Sequence, residues 1–298
     1  MMRRKGNSSK GIPPEKRLRN VFEHEIWAIS YLFEECGMKS KHICDKCGDD
    51  MYFEKQTRLR CRNYKCRSSK SLWEGTAMGN SHIALNEFLR ICYLWLAPTC
   101  VTAIQTITGH STTTIDRIVD KIEEFIGEDI VSEKVGGPGI EVEIDESKFG
   151  KRKYHRGKHV EGVWVVGMVE RTPERRIALV PVSSRDADII ATLILDNVHV
   201  RSIIITDGWL AYPSAIKLIN ANHNANFTHS IVNHSKNFVE KDGTHTNHVE
   251  GTWSGVKQNI SARHMRINVI NGKLIEFIWR RQNKGNLWKA LIKALFIN

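Results

Sequence analysis

The sequence predicts an α/β protein: one large layered domain, preceded by two small modules. Three observations carry this. Four cysteines cluster at 44, 47, 61 and 66 within a polar stretch. From about 83 to 130, apolar residues recur at helical spacing. After Gly136-Gly137-Pro138-Gly139, short β-rich runs alternate with helical ones, which is the order of a layered α/β domain. The expected organisation is a basic tail at 1–20, a helix with the cysteine module at 21–75, a helical module at 76–135 and the α/β domain at 139–298.

Taken in order, the tail holds Arg3, Arg4, Lys5, Lys10, Lys16, Arg17 and Arg19 against the single acid Glu15. It suits a nucleic-acid contact, an import signal or a solvated tail equally. Residues 21–36 have helical spacing. Residues 44–73 are too few and too polar for a core of their own. A helix is expected over 84–97, closed by Pro98, then a second over 101–108, ended by Gly109. A third, over 111–126, has Ser111 or Thr112 as a cap and Ile115, Ile118, Val119, Ile122 and Phe125 as its apolar face. This pattern is helix-turn-helix-like, and it also suits a plain helical bundle. Strands follow at 141–145, 160–169 and 176–182, then a helix at 186–198, a strand at 202–206, a helix at 211–220 and a strand at 227–232. Helices at 248–262, 274–282 and 287–296 complete the chain. Three early strands, then alternating helices and strands, fit a ribonuclease-H-like fold. The same order also occurs in unrelated folds.

Bulk composition narrows the function. The chain has 298 residues and is 41% hydrophobic, enough for real cores and too much for a mainly disordered protein. No apolar run approaches the roughly 20 residues of a membrane span. The longest candidate, 85–96, is interrupted by Asn86, Glu87 and Arg90. The first ten residues lack the apolar segment of a secretory signal, so an intracellular protein is expected. A net charge of +11 favours a polyanionic partner, nucleic acid first.

Cys44-x2-Cys47, thirteen residues, then Cys61-x4-Cys66 offers four thiolates to one tetrahedral zinc. Each pair sits on a short turn, and Gly48 helps the first. The intervening stretch is long enough for the hairpin of a zinc ribbon, and zinc would staple a module this small. Seven cysteines in an intracellular chain point to metal binding rather than disulfides. Cys36, Cys92 and Cys100 read as packing residues. Lys46, Lys55, Arg58, Arg60, Arg62, Lys65, Arg67 and Lys70 surround the cluster and suit DNA phosphates.

Three acids are placed so that they could meet. Asp145 follows the run 140–144, Asp207 follows 202–206, and Glu250 opens a helical stretch. Two strand-end aspartates and a helix-borne glutamate suit two Mg2+ (or Mn2+) ions, which take oxygen ligands and clamp an in-line displacement at a phosphodiester. Lys257 falls on roughly the same helix face as Glu250 and reaches for phosphate. Singly, each acid also suits a turn, and Asp207-Gly208 is a turn pair by itself. Glu143 and Glu146 rival Asp145. A regular strand puts Glu143 on the same face as Asp145 and Glu146 on the other. Between the first two acids lies a dense basic segment containing Lys151, Arg152, Lys153, Arg156 and Lys158, expected to hold a DNA backbone.

Ile144-Asp145-Glu146-Ser147-Lys148-Phe149, Arg152 to Gly157 and Glu161-Gly162-Val163-Trp164 resemble the first catalytic block of Merlin-type DNA transposases. These are eukaryotic cut-and-paste elements related to bacterial insertion-sequence transposases with an ISXO2-like domain. Thr206-Asp207-Gly208-Trp209-Ala211-Tyr212 resembles the second block. Val232-Asn233-His234-Ser235, His245-Thr246-Asn247 and Glu250-Gly251-Trp253-Lys257 resemble the third. Cys61 to Cys66 resembles the family's Cys-rich pattern. The resemblance implies a DDE transposase with a ribonuclease-H-like domain that binds terminal inverted repeats, cuts there and joins the ends to target DNA. Asp145, Asp207 and Glu250 correspond to its triad. Asn247, and His234 within the third block, are accessory candidates. The implied partners are double-stranded DNA and further copies of the chain, as a dimer or higher assembly, with no membrane. A eukaryotic protein of this kind works in the nucleus, a bacterial one in the cytoplasm. Two rival readings are a domesticated DNA-binding protein without cleavage, and a nuclease on the same fold that cuts but does not join.

Overall fold

The structure, a computed structural model, describes residues 11–79, 81–130, 134–150, 162–232, 246–260 and 267–297. The expected DNA contacts Lys151, Arg152, Lys153, Arg156 and Lys158, the accessory candidate His234 and the first ten residues of the tail lie outside them. The described residues form two compact units. One lies within Met1–Asp129 with Trp279–Asn298, the other within Ile130–Ile278.

In the first unit, a 3-10 turn at Glu15–Arg17 leads into α1 (Arg19–Glu23) and α2 (Glu25–Glu34). Apolar spacing predicts one helix over 21–36. The chain breaks it at His24, which is extended at φ −135° and ψ 126°. The break lets the Glu25 carboxylate accept the amide of Leu85 at 3.2 Å, while Asn86 Nδ2 donates to the carbonyl of Phe22. Next come β1 (Met51–Lys55), β2 (Arg58–Cys61) and β3 (Ser69–Ser71), an antiparallel sheet in that order. Its strands are mostly exposed, with Met51, Leu59 and Cys61 buried, so apolar burial alone holds it weakly.

α3 (Leu85–Leu96), α4 (Val101–Thr108) and α5 (Thr112–Asp129) follow. Gly109 ends α4 in the left-handed conformation at φ 75°, where a glycine is favoured. Ser111 Oγ accepts the amide of Thr114 at 3.2 Å at the start of α5. Cys92 is buried as a packing residue, whereas Cys100 is exposed just ahead of α4. The last helix, Leu287–Phe296, also belongs to this unit, although chain order alone groups it with 139–298. The cause is its aromatic face: Trp288 meets Phe22 and Tyr93, and Phe296 meets Trp73 and Phe88, at ring separations of 5.7 to 6.3 Å.

The second unit is a mixed α/β layer structure. Its strands are β4 (Glu141–Phe149), β5 (Val163–Glu170), β6 (Ile177–Val182), β7 (Ile203–Thr206) and β8 (Thr228–Ile231). Its helices are α6 (Ala187–Asn197), α7 (Ala211–His223), α8 (Asn247–Asn259) and α9 (Ile267–Gln282), the last running on into the first unit. The sheet order is β6-β5-β4-β7-β8. β4, β5 and β6 pair antiparallel, and β4–β7 and β7–β8 pair parallel.

Strand alternation gives the sheet two apolar faces. Val142, Ile144, Val166 and Met168 pack against Ile190, Ile194, Tyr212 and Ile216 of α6 and α7. Phe149, Val165 and Val169 pack with Val249, Trp253 and Val256 of α8 and with Ile270 and Leu274 of α9. The sequence predicts a β4 that stops at 145, and the strand runs instead to Phe149. The hairpin partner β5 keeps pairing with it, through Lys148↔Trp164 and Phe149↔Val163, and Phe149 is buried. Among the described residues, no helix is long and apolar enough to cross a membrane.

Candidate active site and metal centre

β4 is long on its antiparallel side and short on its parallel side. Pairing with β7 ends at Glu143↔Ile205. Two residues further along each chain stand Asp145 and Asp207, so the two aspartates occupy the same step where neighbouring parallel strands part. Asp145 lies mid-strand by β5 pairing, opposite Gly167, and at the edge of pairing toward β7. Burial pushes its carboxyl up to about 6, the charges of Glu146 and Asp207 add to this, and a hydrogen bond from Trp253 opposes it. That bond runs from Trp253 Nε1 to Asp145 Oδ2 at 2.9 Å.

Asp207 closes a turn on itself, its Oδ1 accepting the amide of Trp209 at 3.0 Å. Behind it, Thr206 Oγ1 donates to the carbonyl of Asp207, which leaves its oxygen to accept a hydrogen bond from the Nε2–H of a neutral His229 ring 2.8 Å away. Burial lowers the His229 pKa, which favours this neutral ring.

Glu250 lies exposed in the first turn of α8 and accepts the Thr246 hydroxyl at 3.2 Å. Asn247 opens the same helix and is exposed. Trp253 and Lys257 follow Glu250 at helical spacing, and Lys257 Nζ lies 5.8 Å from the Phe149 ring centre. Asp145 and Asp207 are thus neighbours, and Glu250 rides on a helix bonded to Asp145. Among the described residues the three carboxylates do not all gather within 4.8 Å of one another. The donor set itself, carboxylate oxygens at the end of a parallel strand pair, suits a hard cation such as Mg2+.

The two rival acids have other work. Glu143 is fully buried. Its Oε2 accepts the amides of His248 and Val249 at 2.8 and 3.0 Å, and its Oε1 pairs with His248 Nδ1 and Arg171 Nε. Burial works against its charge, but the Val249 amide, the Arg171 guanidinium and the His248 ring outweigh burial and hold it below the usual carboxylate range. A carboxylate at the positive end of α8 is favoured electrostatically, and here it comes from a strand. Glu143 therefore fastens the helix of Glu250 to the strand of Asp145. Glu146 lies on the opposite face. It accepts the Tyr212 hydroxyl at 2.6 Å and pairs with Arg185 at 3.0 Å, and the Arg185 guanidinium lies over the Trp164 ring at 3.6 Å. Sequence reasoning singles out neither Trp253 as a partner of Asp145 nor Glu143 as an anchor. The alternation of β4 puts both acids on one face, and only the tertiary fold gives that face α8 as its neighbour.

In the first unit, the sulfurs of Cys44, Cys47, Cys61 and Cys66 all lie within 4.8 Å of one another. The Cys44–Cys66 and Cys47–Cys61 pairs stand 3.7 and 3.4 Å apart. With Zn–S bonds of about 2.3 Å, a tetrahedral site needs sulfurs roughly 3.8 Å apart, so the cluster fits a zinc ribbon closely. Two turns build it. Gly48, at φ 78°, donates its amide to the Cys44 carbonyl at 2.8 Å. Asn63 closes the second turn on the amide of Lys65 and ties it to Asp49 at 2.7 Å. Amides of Lys46 and Cys47 draw the Cys44 thiol down to about 7, while burial and the neighbouring thiols push Cys47 and Cys61 up, so without a metal the cluster favours the thiolate at Cys44 over those at Cys47 and Cys61. Part of the surrounding charge is internally paired, with Arg58 and Arg60 on Glu54 and Lys70 on Asp45.

Residues 135–281 match the model of the family described as the ISXO2-like transposase domain. None of the curated proteins matches the chain.

Proposed function

The chain is by family an insertion-sequence-like DDE transposase, its ISXO2-like transposase domain lying at 135–281, and from this we propose that it binds the terminal repeats of a DNA element, cuts there and joins the ends to target DNA. The observation that carries this is the shared position of Asp145 and Asp207 at the end of the β4–β7 pairing, with α8 and its Glu250 bonded to Asp145 through Trp253. Three antiparallel strands followed by two parallel ones support a ribonuclease-H-like reading of the sheet.

Asp145, Asp207 and Glu250 are the residues that would hold two divalent cations, Mg2+ or Mn2+. When bound, the cations supply polarisation of the attacking water or 3′-hydroxyl and charge stabilisation at the leaving oxygen. Lys257 meets a phosphate near the cut, and Asn247 and His234 are accessory candidates. Lys151, Arg152, Lys153, Arg156 and Lys158 hold the DNA backbone. Cys44, Cys47, Cys61 and Cys66 hold one structural zinc. The ribbon and the α4–Gly109–α5 helix pair are the end-binding modules, the latter as a helix-turn-helix. Acting on two ends calls for a dimer or higher assembly. The nucleus is the site of action in a eukaryote.

The test is incubation of the purified chain with Mg2+ or Mn2+, a labelled duplex carrying the element end, and a target plasmid. Cut ends joined to plasmid are expected. Cutting without joining identifies a nuclease, and binding alone a domesticated factor. Glu250→Gln is expected to keep end binding and to lose cleavage by at least about a hundredfold, on the scale of losing a main electrostatic group. Wild-type cleavage by that variant removes Glu250 from the site.

A further inference from the structure

Across the face of the sheet that α8 covers, three neighbouring strands present Asp145, Gly167 and Leu179 in one row, paired in register. The Trp253 indole lies in this row. A Cβ on Gly167 would stand 2.6 Å from Cζ2 and 2.8 Å from Cη2 of the indole, and 3.3 Å from Leu179 Cδ2. The missing side chain at Gly167 is therefore the slot that the indole fills. Phe149, two places beyond Ser147 on the same face, closes one side at a ring separation of 5.8 Å, tilted by 66°. Trp253 is buried, and its one polar atom is spent on Asp145 Oδ2 at 2.9 Å.

We propose that Trp253 is a positioning residue: its indole N–H holds the Asp145 carboxylate in the orientation that a divalent cation would need, and its ring fixes the helix turn that carries Glu250. This rests on the active-site reading above. The chemistry of the indole suits the task. It donates and cannot accept, so it never competes for the cation, and it carries no charge that would repel one. A buried N–H deprived of its acceptor costs free energy, which ties the indole to the carboxylate as firmly as the reverse. Trp253 also follows Glu250 by three residues, so fixing its ring in the Gly167 slot fixes where the Glu250 turn stands over β4. Partners that orient a metal-binding carboxylate commonly govern affinity for the metal.

The experiment is Mn2+ titration of the full zinc-loaded chain, followed by the electron paramagnetic resonance of free Mn2+. It compares wild type, Asp145→Asn, Trp253→Phe and a chain with 3-benzothienylalanine at 253, which keeps the indole shape and replaces the N–H by sulfur. Wild type is expected to take up Mn2+ through Asp145. Both replacements at 253 are expected to weaken that uptake about tenfold or more while zinc content and the folded circular-dichroism spectrum of the benzothienyl form stay at wild-type values. If Trp253→Phe does not fold, the benzothienyl form alone decides. Unchanged Mn2+ affinity in the benzothienyl form overturns the positioning role and leaves the active-site reading standing. Wild-type uptake that is absent, or indifferent to Asp145→Asn, overturns the active-site reading and this inference with it.

Discussion

Asp145 stands among groups that resist its ionisation. Its carboxyl rises from an ordinary 3.8 to about 6, first through burial and then through the charges of Glu146 and Asp207. Between these two values the folded chain holds the proton that the unfolded chain releases. Stability contributed by this group therefore falls as pH rises from about 4 to 6, and the cost persists above 6. Asp145→Asn is expected to raise the melting temperature at pH 7.5 without added divalent cation, with the two proteins converging near pH 4. Parallel melting curves across that range would show that the carboxyl is not held under strain. The same residue shows what sequence could tell. Its place after an alternating apolar run is legible, and so is the face it shares with Glu143. That Glu143 is fully buried and bonded to α8, whereas Asp145 meets Trp253, depends on partners more than a hundred positions away, at separations of 105 to 108 residues.

Among the elements, α8 and the cysteine ribbon illustrate two ways to hold a small piece of structure. α8 is docked twice: Glu143 accepts its first amides, and Val249, Trp253 and Val256 enter the core against Phe149, Val165 and Val169. The ribbon has no comparable core. Its order is expected to depend on the metal, because a three-stranded sheet with few buried side chains gains little from apolar burial. Metal analysis is expected to find about one zinc per chain, and Cys44→Ser or Cys61→Ser to lose it. Unchanged zinc in either variant would exclude these thiols as ligands. Helix limits follow from periodicity in α3, α4 and α5, where Pro98, Gly109 and Ser111 mark the ends. The break at His24 does not, since the apolar spacing runs through it and the tie from Glu25 to Leu85 is long-range.

For the molecule as one body of charge, the net value of +11 is the property that bears most on DNA. Binding that neutralises phosphates releases counterions, so affinity for the element end is expected to fall linearly on a log–log plot against salt. Replacing Lys151, Arg152 and Lys153 by alanine is expected to shallow that slope by up to about 3, near 0.9 for each phosphate left without its cationic partner. Filter binding across a salt series measures it, and an unchanged slope would take these residues off the DNA backbone.

The order of residues along the chain settles which chemistry is available and the local structure that presents it. Four thiols at ligand spacing, acids after apolar runs and helices with marked ends all depend on neighbours a few residues apart, and that information is written consecutively. Which of these groups meet is settled by the fold. β4 and β7 pair across some sixty residues of chain, and that parallel pairing, rather than any local signal, sets Asp145 beside Asp207. The empty place at Gly167 and the indole of Trp253 fit each other from different elements. Packing is long-range and depends on shape, so a glycine in a strand and a tryptophan on a helix become a site only when the sheet and α8 close on one another.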